Sequence, residues 1–307
     1  AEDGIRDVLG SRGLGKKGEP VHIGKLERFL ADFDCEAGWR HENIPEKTRG
    51  KVAVIGSGPA GLTIAGDLSR QGFAVEIFEM SPEPGGVLMF GIPEYRLPKE
   101  VVRYEIKKIK NLGVTFHTNV TIGKDLTVDD IFNQEFDAIF IGTGTGRPKK
   151  LDIPGIHHPG VRQAIWFLRR VNLYNNGSVS RNEVVVSEGD KVAVIGCGNT
   201  GMDAARTALR MGASEVTIIY HKGREQMTAL NSEYEDALKE GVKFLWNSSI
   251  TGIEGSEGNR LRSITVMTEN GEERRPIDWV IMAVGSSPAS RIVSTTKAVS
   301  YTHLTLP

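Results

Sequence analysis

The sequence has little cysteine, no long apolar run and no excess of either charge. Only Cys35 and Cys197 are present among 307 residues, so there is no disulfide framework and no C-x-x-C pair of a disulfide reductase. No apolar run approaches the roughly 20 residues of a membrane span. The 38 basic and 39 acidic residues leave a net charge of −1, which favours neither nucleic acid nor an anionic membrane. No signal segment opens the chain, so we expect a cytoplasmic protein.

Glycine, in contrast, is abundant, with 36 residues, and two copies of one glycine motif lie about 140 residues apart, from 56 to 196. Each copy follows an apolar strand pattern and precedes a helical pattern that is closed by Gly72 or Gly212. The copies are Gly56-Ser57-Gly58-Pro59-Ala60-Gly61 and Gly196-Cys197-Gly198-Asn199-Thr200-Gly201. In a strand–turn–helix unit the first glycine permits the turn, the second admits a pyrophosphate and the third lets helix and strand pack closely. The helix N-terminus then attracts the phosphates. The sequence therefore predicts two dinucleotide sites.

The two copies differ where each would select its cofactor. Glu79 ends the second strand of the first copy, where a carboxylate hydrogen-bonds an adenosine ribose and repels a 2′-phosphate. This residue favours FAD or NAD. The second copy has no acid there but has His221, Lys222 and Arg224, which could bind a 2′-phosphate through charge-assisted hydrogen bonds. It therefore favours NADPH, with NADH left open. A solvated basic loop is the alternative interpretation of these three residues.

The repeat extends beyond the glycine motifs. Residues 137–144 are echoed by residues 278–285, and each run is predicted to be a buried parallel strand that reaches a glycine, Gly144 or Gly285, beside a cofactor. The first copy has extra residues at 82–98, an apolar loop of a length that usually lines a ligand. Its Gly-Gly pair would admit a flat ring, which Leu, Met and Phe could cover. An ordinary surface crossover is the alternative. The second copy has extra residues in a β-hairpin predicted around 269–272.

These motifs together resemble a known family. Gly56–Gly61, residues 85–98 (Gly-Gly-Val-Leu-Met-Phe-Gly-Ile-Pro-Glu-Tyr-Arg-Leu-Pro) and residues 202–206 (Met-Asp-Ala-Ala-Arg) are similar to the small (beta) subunit of NADPH-dependent glutamate synthase. Related families are the flavin subunit of NADH-dependent ferredoxin:NADP oxidoreductase and the N-terminal half of dihydropyrimidine dehydrogenase. The resemblance covers about residues 13 to 297.

The resemblance implies an FAD- and NADPH-dependent oxidoreductase that passes electrons through iron–sulfur clusters to a partner such as the glutamate synthase large subunit or ferredoxin. No catalytic side chain is expected, because the cofactors carry the chemistry. The alternatives are a flavin subunit of the NADH-dependent ferredoxin:NADP oxidoreductase type and an inactive nucleotide-binding fragment. The family's FAD contacts would fall on Gly56, Ser57, Gly58, Pro59, Ala60, Gly61, Glu79, Gly86, Leu88 and Arg96. Its NADPH contacts would fall on Gly196, Gly198, Asn199, Thr200, Gly201, His221, Lys222, Arg224 and Gly285.

Three features depart from the family pattern. No cysteine precedes Cys35, and a cluster normally needs four thiolates, so this chain is expected to bind neither a cluster nor another metal. His221-Lys222 replaces the usual pair of arginines, and Gln226-Met227-Thr228 replaces Glu-Met-Pro. A Gly-Asp segment that completes the family's flavin domain is also missing.

The expected fold is α/β, with two Rossmann-like dinucleotide-binding domains, the second inserted into the first. A helical remnant of an iron–sulfur domain would occupy 1–50. The FAD domain would occupy 51–156 and resume over 283–299, and the NAD(P)H domain would occupy 157–282. Residues 300–307 continue neither copy and are interpreted as a non-native tail.

Overall fold

The computed structural model describes residues 23–38 and 43–288. Helix α1 (Ile23–Ala37) belongs to a small unit separate from the main body, Lys47–Ala289. None of its residues is buried, and its apolar side chains, such as Phe29 and Phe33, are exposed. The predicted tail at 300–307 lies outside the described residues.

The first glycine motif belongs to a four-stranded parallel sheet with strand order β3-β2-β1-β4. Helix α2 follows β1 through the glycine turn, and Gly72 ends that helix with a positive φ of 88°. The Asp137 carboxylate accepts the Lys51 amide at 2.7 Å, which ties the start of β1 to the loop before β4. The elements are β1 (Lys51–Ile55), α2 (Pro59–Arg70), β2 (Ala74–Glu79), α3 (Val87–Phe90), α4 (Lys99–Asn111), β3 (Thr115–Thr118), α5 (Val128–Phe132) and β4 (Ala138–Ile141).

The second motif belongs to a five-stranded parallel sheet of order β6-β13-β7-β8-β9. The two copies share an equivalent hydrogen bond. The Asp278 carboxylate accepts the Lys191 amide at 2.8 Å, just as the Asp137 carboxylate accepts the Lys51 amide in the first copy. Gly212 ends helix α7 with a φ of 103°. The elements are β5 (Arg147–Pro148), β6 (Val161–Gln163), α6 (Ala164–Asn175), β7 (Lys191–Ile195), α7 (Asn199–Arg210), β8 (Glu215–Ile219), α8 (Asn231–Lys239), β9 (Lys243–Leu245) and β13 (Trp279–Met282), with 3₁₀ turns at Arg181–Glu183 and Arg224–Gln226.

Among the described residues, two antiparallel sheets complete the body. The predicted hairpin is confirmed as β11 (Leu261–Thr268) and β12 (Gly271–Pro276), and β10 (Ser249–Gly255) pairs with β11 to make three strands. Strand β5 pairs with β14 (Ser286–Ser287), so the chain segments that follow β4 and β13 run side by side in opposite directions.

The two predicted buried strands differ in burial. All four residues of β13 are buried, as expected, because β13 lies between β6 and β7. The prediction is wrong in part for β4, which is parallel to β1 but half exposed. The reason is that β4 forms the edge of its sheet among the described residues.

Candidate functional site

The first phosphate loop has the close packing that its glycines predict. Gly56 has a φ of 97°, and a Cβ there would lie 2.5 Å from the Gly142 carbonyl oxygen. A Cβ at Gly61 would lie 3.0 Å from the Gly56 carbonyl carbon and nearer still to its oxygen. A Cβ at Gly58, in contrast, would meet nothing within 4 Å. Gly58 is also the N-cap of α2 and supplies no side-chain cap, so the loop offers open space and helix amides to an anion.

Glu79 ends β2 beside this loop, as predicted. The residue is 5% exposed, and its carboxylate accepts hydrogen bonds from the Ser57 amide at 3.0 Å and from the Ser57 hydroxyl at 2.5 Å. Its other oxygen accepts the Ser81 amide at 2.7 Å. An ionised carboxylate has about four acceptor positions, so Glu79 retains capacity for a ribose hydroxyl. These residues fit the adenosine end of a dinucleotide.

The 82–98 segment lies directly against the first phosphate loop. Gly86 has a φ of 53°, and a Cβ there would lie 2.8 Å from the Gly58 Cα atom. The Gly85 amide donates to the Ser57 hydroxyl oxygen at 3.0 Å. Leu88 lies in the short helix α3, where it is partly buried against the hydrophobic core of the first parallel sheet. The segment therefore lies where the sequence predicts a ligand-lining loop.

Two buried polar side chains that the sequence did not single out hold this segment. The Lys99 ammonium, in a residue only 6% exposed, donates to the carbonyls of Leu88, Ile92 and Leu97 at 3.0, 2.6 and 3.1 Å. The amide group of Asn172, on α6, donates to the carbonyls of Phe90 and Ile92 at 2.9 and 3.1 Å. Burial lowers the pKa of Lys99. Neither residue belongs to a recognisable motif, so only the folded chain identifies them.

Arg96, predicted as an FAD contact, makes a different contact in the described structure. Its guanidinium donates to both carboxylate oxygens of Asp203, each at 2.9 Å, and lies 3.3 Å from Glu233. Asp203 is on α7, and Glu233 is on α8. The role of Arg96 towards a flavin stays a prediction.

The second phosphate loop repeats the geometry of the first. Gly196 has a φ of 110°, and a Cβ there would lie 2.5 Å from the Ala283 carbonyl oxygen. A Cβ at Gly201 would lie 3.2 Å from the Gly196 carbonyl carbon. Gly198 is the N-cap of α7, without a side-chain cap. The Asn199 side chain accepts the Leu230 amide at 3.0 Å, which ties Asn199 to the start of α8.

Cys197 fills the interior of this turn. It is 1% exposed, and burial raises the pKa of its thiol to about 12. A buried, protonated thiol is a poor nucleophile, so Cys197 acts as a small core residue. No group of three or more His, Cys, Asp or Glu side chains within 23–38 and 43–288 could hold a metal ion.

The predicted basic cluster follows β8 and is exposed. His221, Lys222 and Arg224 are exposed and form no ion pair with a carboxylate among the described residues, so these side chains are accessible to a ligand. The Arg224 guanidinium lies 4.8 Å from the centre of the Tyr234 ring. Gly285, the last predicted contact, has a φ of 89°, and its carbonyl accepts the Lys149 amide at 3.0 Å. These positions fit a phosphate-bearing nucleotide.

A cavity of about 1250 Å³ lies elsewhere, at the amino ends of β7 and β13, and its lining includes Arg162, Arg181, Arg260 and Trp279. The phosphate loops follow the carboxyl ends of β1 and β7, where ligands of open α/β sheets bind. Arg181 and Arg260 are engaged by backbone carbonyls and by Asp190, respectively. We assign this cavity no part in the site.

Comparisons with known proteins agree with this fold. Residues 50–303 match the family described as pyridine nucleotide-disulphide oxidoreductase. The chain is 36% identical to the small chain of NADPH glutamate synthase of Escherichia coli, over 87% of this chain and 61% of that protein. It is 34% identical to a putative NADPH glutamate synthase small chain of Cereibacter sphaeroides, over 87% and 68%. It is 37% identical to the beta subunit of an NADP(+)-dependent formate dehydrogenase of Moorella thermoacetica, over 89% and 43%.

Solved structures show the same fold. FprA of Mycobacterium tuberculosis in complex with NADPH superposes with a TM-score of 0.64 at 19% identity, over 78% of this chain and 71% of FprA. Thioredoxin reductase of Lactococcus lactis superposes with a TM-score of 0.61 at 23% identity, over 80% of each chain. The predicted architecture of two Rossmann-like domains is therefore confirmed.

The chain thus belongs to the pyridine nucleotide-disulphide oxidoreductases and, within them, to the family of NADPH glutamate synthase small chains. It spans about 61% of the length of the Escherichia coli relative. The predicted family is confirmed. No helix within residues 23–38 and 43–288 is both long and apolar enough to cross a membrane.

Proposed function

We propose that the chain binds FAD at the first phosphate loop and NADPH at the second, and that it transfers a hydride from NADPH to FAD. The observation that carries this proposal is the pair of equivalent loops with opposite charge beside them. The first loop has the buried carboxylate of Glu79, and the second has the exposed Lys222 and Arg224. A carboxylate suits a ribose hydroxyl, whereas free cations suit a 2′-phosphate.

The residues of the first site would hold and orient the flavin. Amides at the start of α2 would bind the pyrophosphate, and Glu79 would bind the ribose. The 82–98 segment, with Gly86, Leu88 and Arg96, would cover the ring and exclude water. The bound flavin supplies the hydride acceptor, so the chain needs no acid or base of its own there.

The residues of the second site would hold the pyridine nucleotide. Amides of Gly198–Gly201 would bind its pyrophosphate, and His221, Lys222 and Arg224 would bind the 2′-phosphate. Gly285 lies beyond the carboxyl end of β13, the edge at which ligands of such sheets bind. We also propose that the second sheet forms an NAD(P)H domain inserted into the FAD domain, because β5 and β14 bring the two connecting segments together.

We propose further that a partner protein receives the electrons. The relatives include a small chain of glutamate synthase and a beta subunit of formate dehydrogenase, both named as parts of larger enzymes. A chain with only two cysteines cannot ligate an iron–sulfur cluster alone, so clusters would belong to other segments or subunits. A glutamate synthase large subunit or ferredoxin would serve as the partner.

The first experiment follows the visible absorption of the FAD-loaded chain under anaerobic conditions, with NADPH or NADH added. We expect NADPH to bleach the bound flavin faster than NADH. A flavin that binds but is not bleached by either nucleotide would refute hydride transfer. Absence of flavin binding would favour a nucleotide-binding chain without turnover.

A further inference from the structure

A network of charged side chains joins the 82–98 segment to the helix that follows the second phosphate loop. Its centre is the pair of 2.9 Å contacts from Arg96 to the two carboxylate oxygens of Asp203. The two residues are 107 positions apart in the sequence. Glu233 forms an ion pair with Arg96 at 3.3 Å and accepts a hydrogen bond from Arg206 at 2.9 Å, so α8 is part of the same network.

The contact is shielded from solvent. Asp203 has a side chain that is 8% exposed, and Arg206 has the same exposure. The guanidinium groups of Arg206 and Arg210 lie 4.6 and 4.2 Å from the centre of the Tyr95 ring. Burial, with the nearby charge of Asp203, raises the pKa of Tyr95 to about 12. Weak screening by water strengthens the attraction between these charges, and the same burial raises the pKa of Asp203.

The position of Asp203 gives the contact its consequence. Asp203 is the fifth residue of α7, whose first residues belong to the second phosphate loop. Arg96 belongs to the segment whose Gly86 lies against the first phosphate loop. A short chain of contacts therefore connects the two loops, and a change at Asp203 would shift one loop relative to the other.

We propose that Asp203 is a positioning residue which, through Arg96, sets where a nicotinamide bound at the second loop lies relative to a flavin bound at the first. This inference rests on the proposed function. Hydride transfer is sensitive to such placement, since a displacement of about 1 Å can lower a rate about 100-fold. The binding of NADP⁺ depends mainly on the second phosphate loop and its basic cluster, so Asp203 should affect the transfer rate far more than the affinity for NADP⁺.

The test compares the parent chain with Asp203→Leu and Asp203→Asn. The leucine variant removes the acceptor and leaves Arg96 paired with Glu233, whereas asparagine keeps one acceptor oxygen. Asp236→Asn is the matched control, because Asp236 pairs with the same Arg206 at 3.7 Å but is 48% exposed. Rapid mixing of the FAD-loaded proteins with NADPH gives the transfer rate, and titrations give the affinities for FAD and NADP⁺.

We expect Asp203→Leu, when saturated with FAD, to reduce its flavin about 100-fold more slowly than the parent, with the affinity for NADP⁺ changed less than about threefold. Asp203→Asn should lie between, and Asp236→Asn should match the parent. A parental rate in Asp203→Leu would overturn the proposal. A loss of NADP⁺ affinity as large as the loss of rate would also overturn it, since Asp203 would then be a binding residue.

Hydrogen exchange of peptides from residues 82–98 tests the contact without any cofactor. We expect exchange about tenfold faster in Asp203→Leu than in the parent or in Asp236→Asn, because the segment would open more often. If NADPH fails to bleach the parent flavin, the proposed function is refuted. The hydrogen-exchange measurement then decides by itself whether Asp203 holds the 82–98 segment in place. Unchanged exchange would then overturn the positioning role. If Asp203→Leu does not fold, Asp203→Asn serves in both measurements.

Discussion

The two later glycines of the first phosphate loop should respond to alanine in opposite ways. An alanine at Gly61 would place its Cβ against the Gly56 carbonyl, 3.0 Å from the carbon and nearer to the oxygen. An alanine at Gly58 would meet no atom within 4 Å, and the φ of −69° there suits any residue. The first change should therefore disturb the fold, and the second should disturb only a ligand.

The magnitudes follow from these distances. Overpacking costs about 3 kcal/mol, and the better helix propensity of alanine returns at most about 1 kcal/mol. Gly61→Ala should thus lower the free energy of unfolding by about 2 kcal/mol. In Gly58→Ala the poorer helix cap lowers the free energy of unfolding by about 0.5–1 kcal/mol. The lower conformational entropy of the unfolded chain raises it by about as much. Its stability should stay within about 0.5 kcal/mol of the parent.

Urea unfolding and FAD titration separate the two effects. Gly58→Ala should unfold with the parent but bind FAD at least about tenfold more weakly, a loss of about 1.4 kcal/mol, because its methyl group occupies space meant for the pyrophosphate. Gly61→Ala should unfold at a lower urea concentration. If Gly61→Ala is as stable as the parent, or if Gly58→Ala is the less stable of the two, the reasoning about this loop is refuted.

Three further changes test other parts of the site. Lys222→Ala combined with Arg224→Ala should weaken NADPH by about tenfold or more and leave NADH unchanged; equal losses in flavin-reduction assays would contradict a 2′-phosphate site. Lys99→Met should weaken FAD binding, because three carbonyls of the 82–98 segment lose their donor; an unchanged FAD titration would count against this. Burial raises the pKa of Cys197 to about 12, so at about pH 8 the thiol is protonated, and alkylation of the folded chain should label Cys35 alone. Cys197 should react with the reagent only at higher pH, where its thiol is deprotonated. Labelling of both cysteines at pH 8 would show that the second phosphate loop is open.

The local parts of the site could be predicted from the sequence. Gly56 and Gly196 have positive φ values and lie against a neighbouring backbone. Glycine alone tolerates both conditions, so a glycine motif in the sequence predicts this turn. Glu79 ends β2 and the basic cluster follows β8, and these positions could be predicted because the carboxyl ends of parallel strands meet at one edge of a sheet. Which cofactor each site binds stays a prediction.

The contacts that hold the 82–98 segment could not be predicted in this way. Lys99 and Asn172 resemble ordinary polar residues of helices, yet both bind carbonyls of the 82–98 segment. The exposure of β4 depended on its place at the edge of the described sheet. Such features arise from neighbours that no local pattern specifies.

The sequence by itself determined the two strand–turn–helix units, their glycine turns and the difference in charge beside them, because steric limits on the backbone act within a few residues. Only the tertiary structure decided that Arg96 meets Asp203, since that contact requires two units far apart in the chain to pack together. Burial then strengthens the attraction between the two charges, because few water molecules are near enough to screen them.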